Sequence, residues 1–219
     1  MKPALPIPTV ERLFVYHKVL TNLLIEGTTH VFSYDLANRA RNTAAQVRRD
    51  LMSAGCVGSS GKGYDIRSLL DRLSEVLEHG ASRQVIVIGL GNIGKGLISY
   101  FSSPNNEFSI LAAFDRDTRK TGKPFQECPC FPIADLEPFL EKNKVELAVL
   151  AVPGPVAQVL SDRLVMGGVR GILNFAPVRL AVPKWVHVED NHITMMLKKV
   201  SYLAKLSPDQ VKESLTTVG

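Results

Sequence analysis

The chain has 219 residues, 45% of them hydrophobic and 21% charged, with a net charge of +5. That balance belongs to a folded globular protein and excludes a low-complexity or disordered polymer. No apolar run approaches the ~20 residues of a membrane span and MKPALPIPTV lacks a signal-peptide core, so no membrane role is expected. Three cysteines, Cys56, Cys128 and Cys130, form no paired framework, and the expectation is a cytoplasmic protein in a reducing compartment. The positive charge permits a polyanionic partner without requiring one.

The N-terminal stretch reads as short helices. Thr9 can cap a first helix whose apolar positions Val10, Leu13, Phe14, Leu20, Leu23 and Leu24 recur mostly at three and four residues, stopping at Gly27. Val31-Phe32 reads as a brief strand, Ser33 as the cap of a helix Tyr34 to Arg39, and Arg41-Asn42 as a polar break before a helix Thr43 to Ser53 that Gly55 closes. Two short helices with a tight connection are a helix-turn-helix candidate. The second carries Thr43, Gln46, Arg48, Arg49 and Ser53 away from its apolar positions Ala44, Val47 and Leu51, so one face can meet base edges and phosphates. Ser33, Tyr34 and Asn42 at the helix ends complete that candidate set. The glycine-rich span 56–66 reads as a hairpin wing with Lys62 near its tip, beside Gly63 and Tyr64. Arginines on a short helix are also what a solvated face looks like. Here the basic residues sit on the presumed recognition helix and the wing tip, which is the placement of a winged-helix DNA-binding domain.

Ile66, Leu69, Leu70, Leu73, Val76 and Leu77 repeat with a helical period up to Gly80 and should close this first core. Gly80 to Arg83 is then a linker too short for free tumbling. The expected domains are 1–80 and 84–190, followed by a C-terminal helix within 191–207 and a tail, 208–219.

The second domain opens on VIVIGLGNIG. A β-branched strand runs into Gly89-x-Gly91-x-x-Gly94 and an amphipathic segment follows, which is a dinucleotide fingerprint. Gly89 serves a tight turn, Gly91 a close approach of pyrophosphate, and Gly94 close helix packing. The next apolar run, Phe108 to Phe114, ends in Asp115, about 20 residues past the last glycine, where an acid binds the ribose hydroxyls of NAD. Cys128-Pro129-Cys130 is C-x-C and reads as a turn with two incidental thiols. Leu147 to Val152 and Gly171 to Phe175 read as buried parallel strands, Pro155 to Met166 as a helix with proline in its first turn, and Val186 to Val188 as a last strand. The fold class is therefore α/β, a doubly wound parallel sheet behind a winged helix. Ligands on such sheets lie at the carboxyl ends of the strands, so Val152, Pro153, Asn174 and Phe175 are placed beside a nicotinamide, although Pro153 and Pro177 serve equally as strand ends. The last helix, Ile193 to Leu206, shows Ile193, Met196, Leu197, Val200, Leu203 and Ala204 on one stripe, to be packed on a second subunit or on its own domain.

The motifs RRDLMSAGCVGSSGKGYDI, GLGNIG, FDRD, VPGPVAQ and GILNFAPVRLAVP occur in that order over nearly the whole chain. This set resembles the Rex family of redox-sensing transcriptional repressors. The resemblance implies a homodimer that binds an inverted-repeat operator in double-stranded DNA, releases it when NADH binds, and exchanges its last helix between subunits. It implies DNA contacts from Gln46, Arg48, Arg49 and the wing around Gly61, Gly63 and Tyr64. It places NAD(H) on Gly89, Leu90, Gly91, Asn92, Ile93, Gly94, Asp115 and Arg116, with Tyr100 near the nicotinamide; Arg116 and Arg119 leave a 2′-phosphate open. Two positions depart from the family. An arginine on the first helix and an aspartate before the last helix, which communicate with the tyrosine, correspond here to Lys18 and His192. Lysine lacks the arginine fork and a neutral histidine is no anion, so discrimination of NADH from NAD+ is expected to differ. Two other readings stand beside this one. A winged-helix regulator could sense another nucleotide, and an NAD-dependent dehydrogenase could use His187 or His192, though neither has a supporting acid-base constellation, and no catalytic or metal site is expected.

Overall fold

The computed structural model describes residues 5–59, 61–78, 83–103, 106–207 and 210. The chain divides into two compact units, Met1–Ala81 and Ser82–Gly219. Among the described residues no helix is long and apolar enough to cross a membrane.

The first unit runs α1 (Ile7–Ile25), β1 (His30–Val31), α2 (Ser33–Arg39), α3 (Ala44–Ser53), β2 (Tyr64–Asp65) and α4 (Ile66–Glu78). α1 starts two residues before the expected cap: Pro6 occupies the N-cap and Pro8 the first turn, where proline's fixed φ suits a helix start. Thr9 is thus inside the helix, buried, and its Oγ1 accepts from Arg12 Nη2 at 3.2 Å. The core stripe is Leu13, Tyr16, Leu20 and Leu23, whereas Phe14 is 53% exposed. Gly27 ends α1 as expected, at φ 84°. Ser33 is not a cap either. Phe32 takes the N-cap of α2 without a side-chain bond, and Ser33 Oγ accepts from Arg48 Nη1 at 3.1 Å. Thr43 caps α3 itself, accepting the Gln46 N–H on Oγ1 at 3.2 Å. At the wing, Ser59 and Gly63 exchange backbone hydrogen bonds of 2.9 and 3.0 Å around Lys62. Beyond that turn, Val31 pairs with Tyr64 and His30 with Asp65, so the ladder forms with β1 rather than within 56–66. Ile66, Leu69 and Leu73 of α4 close the core against α1. Ser60, the stop at Gly80 and the linker before Arg83 lie outside the described residues.

The second unit runs β3 (Gln84–Ile88), α5 (Asn92–Phe101), β4 (Ser109–Asp115), β5 (Cys130–Pro132), α6 (Leu136–Asn143), β6 (Leu147–Leu150), α7 (Gly154–Met166), β7 (Gly171–Asn174), β8 (His187–Asp190) and α8 (Ile193–Leu203). Its six strands are all parallel in the order β5-β4-β3-β6-β7-β8, the doubly wound Rossmann order. Ile86, Ile88, Ala112, Phe114, Ala148 and Leu150 fill one face of the sheet. Val85, Val87, Ala113 and Val149 fill the other, which is the period of two that parallel burial on both faces produces. In register, Ile88 lies opposite both Phe114 and Leu150, so the carboxyl ends of β4, β3 and β6 come level.

Two elements escape the sequence reading, β5 and α6. β5 is three residues long, and the turn before it puts Gln126 and Glu127 at φ 47° and 66° with no glycine to mark it. Cys130 therefore belongs to a strand, and both Cys128 and Cys130 are core residues. Desolvation, then the neighbouring Cys130, pushes the Cys128 thiol up to about 12, which makes it inert. Strands expected to reach Val152 and Phe175 end at Leu150 and Asn174, and the last strand lies at His187–Asp190 instead of 186–188. α8 stops at Leu203 and every residue of it is exposed, including Ile193, Met196, Leu197 and Val200. Packing on its own domain is thereby overturned. Of the tail, only Gln210 is among the described residues.

Candidate nucleotide cleft and nucleic-acid face

Gly89 turns the chain out of β3 at φ 103°, and its N–H donates to Phe114 O at 2.7 Å. A Cβ there would strike the carbonyl oxygen of Ala151 beyond β6, and one on Gly94 would strike the carbonyl oxygen of Gly89. These two positions are glycine for room and conformation. Gly91 differs: its φ is −80° and a Cβ there would meet nothing within 4 Å. The space over Gly91 is open at the N-terminus of α5, where Lys95 is the first residue to bond back, to Gly91 O at 3.0 Å. The amides of Asn92, Ile93 and Gly94 are left without partners within the helix, a cradle for an anion backed by the helix dipole.

Asp115 ends β4 with only 8% exposure. Its Oδ2 accepts the Leu90 N–H at 2.7 Å, its Oδ1 accepts the Asp117 N–H at 2.8 Å, and Lys120 Nζ lies 3.5 Å from Oδ2. The carboxylate thus ties the glycine loop to the end of the next strand. Leu90 is a structural member of the loop, with its side chain buried and its amide spent on Asp115. Gly89, Gly91, Asp115, Arg116, Val152 and Pro153 come together around a cleft of about 610 Å³. That is the size range of small-molecule sites. The sequence reading missed Lys120, Ile133, Val156 and Leu160 on the same wall. The expected cation pair divides: Arg116 lines the cleft, but Arg119 forks onto Asp117 at 2.9 Å, and that side-chain hydrogen bond holds the Asp117 carboxyl down at about 2. Lys120 stands where Arg119 was expected.

Other candidates lie elsewhere. Tyr100 is 67% exposed and packs edge-on against Phe101, outside the cleft lining. Asn174 is fully buried, its Nδ2 donating to Val178 O and Asp190 Oδ1 and its Oδ1 accepting the Ala176 N–H. Its amide pins β8 and the following loop, so no polar atom of the side chain is turned to the cleft. Phe175 packs into the core of the sheet. His192 sits at the N-cap of α8 with its Nε2 3.7 Å from Asp190 Oδ1. Asp190, two residues earlier in the chain, thus puts a carboxylate beside His192. Lys18 is an exposed residue of α1.

In the first unit, Thr43, Arg48, Arg49 and Lys62 are exposed, and Tyr34 is exposed and stacked on Phe32 at 5.3 Å. Asn42 Oδ1 accepts the Thr43 N–H at 3.3 Å, which fixes the turn between the helices. Tyr64 packs where a Cβ on Gly58 would fall, and a Cβ on Gly63, at φ 73°, would lie 2.5 Å from Val31 O. Both shape the wing base rather than face outward. Sequence reasoning missed Asp50, buried under α3 with Arg12, Tyr16 and Gln46 around it. Nothing local in the sequence marks it, because its main partner is 38 residues away.

Residues 81–178 match the family described as CoA binding domain, and residues 4–51 match the one described as Putative DNA-binding protein N-terminus. The redox-sensing transcriptional repressor Rex of Listeria welshimeri is 37% identical over 93% of this chain and 95% of its own. That of Carboxydothermus hydrogenoformans is 39% identical over 90% and 95% respectively. Among solved structures, RSP, a Rex-family repressor, in complex with β-NAD+ and operator DNA superposes with a TM-score of 0.86 at 30% identity over 99% of each chain. The same repressor with β-NADH gives 0.81 at 30% identity, covering 98% of this chain and all of RSP.

Proposed function

The chain belongs to the Rex family of redox-sensing transcriptional repressors, and from that membership we propose that it binds operator DNA through α3 and the wing and releases it when NADH occupies the cleft of the second unit. The observation that carries this reading is the joint presence, in one chain, of a short helix pair whose second member is capped by Thr43 and of an open Gly91 loop beside the buried Asp115. The donor set suits the ligand. The α5 amides would hold the pyrophosphate, Asp115 the ribose diol, and Arg116 with Lys120 would flank the adenosine side. When bound, the dinucleotide supplies a charge that depends on its redox state, since the oxidised nicotinamide ring is cationic and the reduced ring is neutral.

Asn92 and Ile93 at the helix start, and Val152 and Pro153 across the cleft, complete the binding wall. Tyr100, Lys18 and His192 are the candidate switch residues, with Asp190 now counted beside His192. Asp190 returns negative charge to this end of the sheet, so NAD+ is penalised less than substitution of the aspartate by histidine alone would predict. Paired calorimetric titrations should show a modest preference for NADH, and equal affinity would remove these residues from the switch. The apolar stripe of α8 supports a homodimer joined through this helix, whose two recognition helices would meet major grooves ~34–36 Å apart on an inverted repeat. A hundredfold preference of NADH for the DNA-free form, about 2.7 kcal/mol, suffices to shift the population.

We read the chain as non-enzymatic and cytoplasmic. The ionisable groups that line the cleft are Asp115, tied to Leu90, Arg163, tied to Glu137, and the cations Arg116 and Lys120, which bind an anion rather than relay a proton. His187 and His192 stand with Glu189 and Asp190 at 3.7 Å, outside that lining. The test is selection of duplexes from a random library at fixed salt, with NADH or NAD+ added separately. Release by NADH alone is expected; an inverted repeat that neither form releases would overturn the redox assignment.

A further inference from the structure

The polar cluster under α3 bears on which base the protein reads, and the argument rests on the DNA-binding reading above. Asp50 is 2% exposed. It accepts four hydrogen bonds: Arg12 Nε to Oδ2 and Arg12 Nη2 to Oδ1, both 2.7 Å, Tyr16 Oη to Oδ2 at 2.9 Å, and Gln46 Nε2 to Oδ1 at 2.8 Å. Burial pushes this carboxyl up, but the hydrogen bonds from Arg12, Gln46 and Tyr16 outweigh it and leave the group below its usual value, ionised at neutral pH. An ionised carboxylate only accepts, so the amide nitrogen is the end of Gln46 that must face it. Arg12 and Tyr16 both come from α1, and the arginine fork fixes the plane of the carboxylate. Gln46 stands three residues after the cap Thr43, in the first turn of α3, the part of a recognition helix that reaches base edges.

We propose that Asp50, locked by Arg12 and Tyr16, is a positioning residue that fixes the amide of Gln46 so that α3 reads adenine at one base pair of each half-site. A glutamine free to turn over presents its oxygen and nitrogen in either order. With the nitrogen anchored, the oxygen and the remaining N–H form one acceptor-donor pair, which complements adenine N6 and N7 in the major groove. The reversed amide would instead favour acceptors such as guanine O6 or thymine O4. Asp50 therefore sets a base preference without touching DNA. Nothing in the charge of the face does this, since Arg48, Arg49 and Lys62 answer to phosphate or guanine.

The experiment is duplex selection with the full chain and with Gln46→Ala, Asp50→Asn and Arg12→Lys, each checked by a thermal melt. Wild type should prefer adenine about tenfold at one position per half-site, and Gln46→Ala should flatten that position. Asparagine can donate or accept, so Asp50→Asn should let the amide turn and flatten the same position to under about threefold, leaving the other positions unchanged. Arg12→Lys keeps the charge but loses the fork, and it serves where Asp50→Asn does not fold. Its effect should fall at the same position and be smaller. An unchanged profile in the folded variants, or an affinity loss spread evenly over all positions, overturns the proposal and leaves a purely structural cluster. A sharp wild-type site with no adenine preference at the position sensitive to Gln46 also overturns it alone. A wild type that selects no sequence overturns the DNA-binding reading together with it.

Discussion

The two units hold their sites in opposite ways. In the second, the proposed anion cradle is made of main chain: Gly89 and Gly94 are glycine because a Cβ would strike the carbonyls of Ala151 and Gly89, and the α5 amides are the donors it offers. In the first, the face is made of side chains set by other side chains, with Gln46 held by Asp50, Asp50 by Arg12 and Tyr16, and Arg48 by Ser33. A backbone site is specified by a few consecutive residues. A side-chain site is specified by contacts between α1, α2 and α3, far apart in the chain.

The contrast breaks most directly at Gly94. Gly94→Ala should cost the second unit about 2 kcal/mol and reduce NADH affinity more than a hundredfold by calorimetry, while duplex binding persists without its response to NADH. Intact NADH binding in this variant would mean that the backbone is not what holds the site. Next in size is Arg12→Ala, which strands a buried carboxylate. It should lower the stability of the first unit by about 3 kcal/mol in a urea melt and leave NADH titration unchanged.

The same pair gives a pH signature. Asp50 has a depressed folded value despite the opposing effect of burial, so its stabilisation is present above its unfolded value, near ~4, and is lost as pH falls through the folded one. The stability gap between wild type and Arg12→Ala should therefore narrow as pH falls below about 4, and a gap independent of pH would argue against an ionised Asp50. The smallest structural effect belongs to Gly91→Ala. Its Cβ meets nothing, so the melt should move by less than about 0.5 kcal/mol, yet NADH affinity should fall about tenfold because the methyl group stands where the pyrophosphate approaches. Separation of binding from stability at Gly91, and their joint loss at Gly94, would sharpen the distinction between a glycine kept for ligand and one kept for packing.

This difference decides what could be read from the chain. The strand, the three glycines and Asp115 lie within one short segment, and the central strands follow from β-branched runs, so the parallel sheet and the place of the cleft were legible. β5 was not, because three residues after an unmarked turn carry no period. Thr9 and Ser33 look like caps, but Pro6 and Phe32 hold those positions, since the helix starts are set by the proline pair and by packing. Asn174 was legible as a polar residue at a strand end, and only the position of Asp190 reveals that its amide serves the sheet. Asp50 reads as one more charge on a helix until Arg12 is brought beside it.

A loop whose proposed grip on an anion is made of main chain offers drift no side chain to exchange. Substitutions at Gly89 or Gly94 damage the fold before they alter preference. Any evolutionary change of effector in this lineage would therefore enter through the rim, where Arg116 and Lys120 can be replaced one at a time without undoing the bonds from Asp115 to Leu90 and Asp117. The anion grip would be inherited whole, and the identity of what is attached to the anion would be the part open to selection.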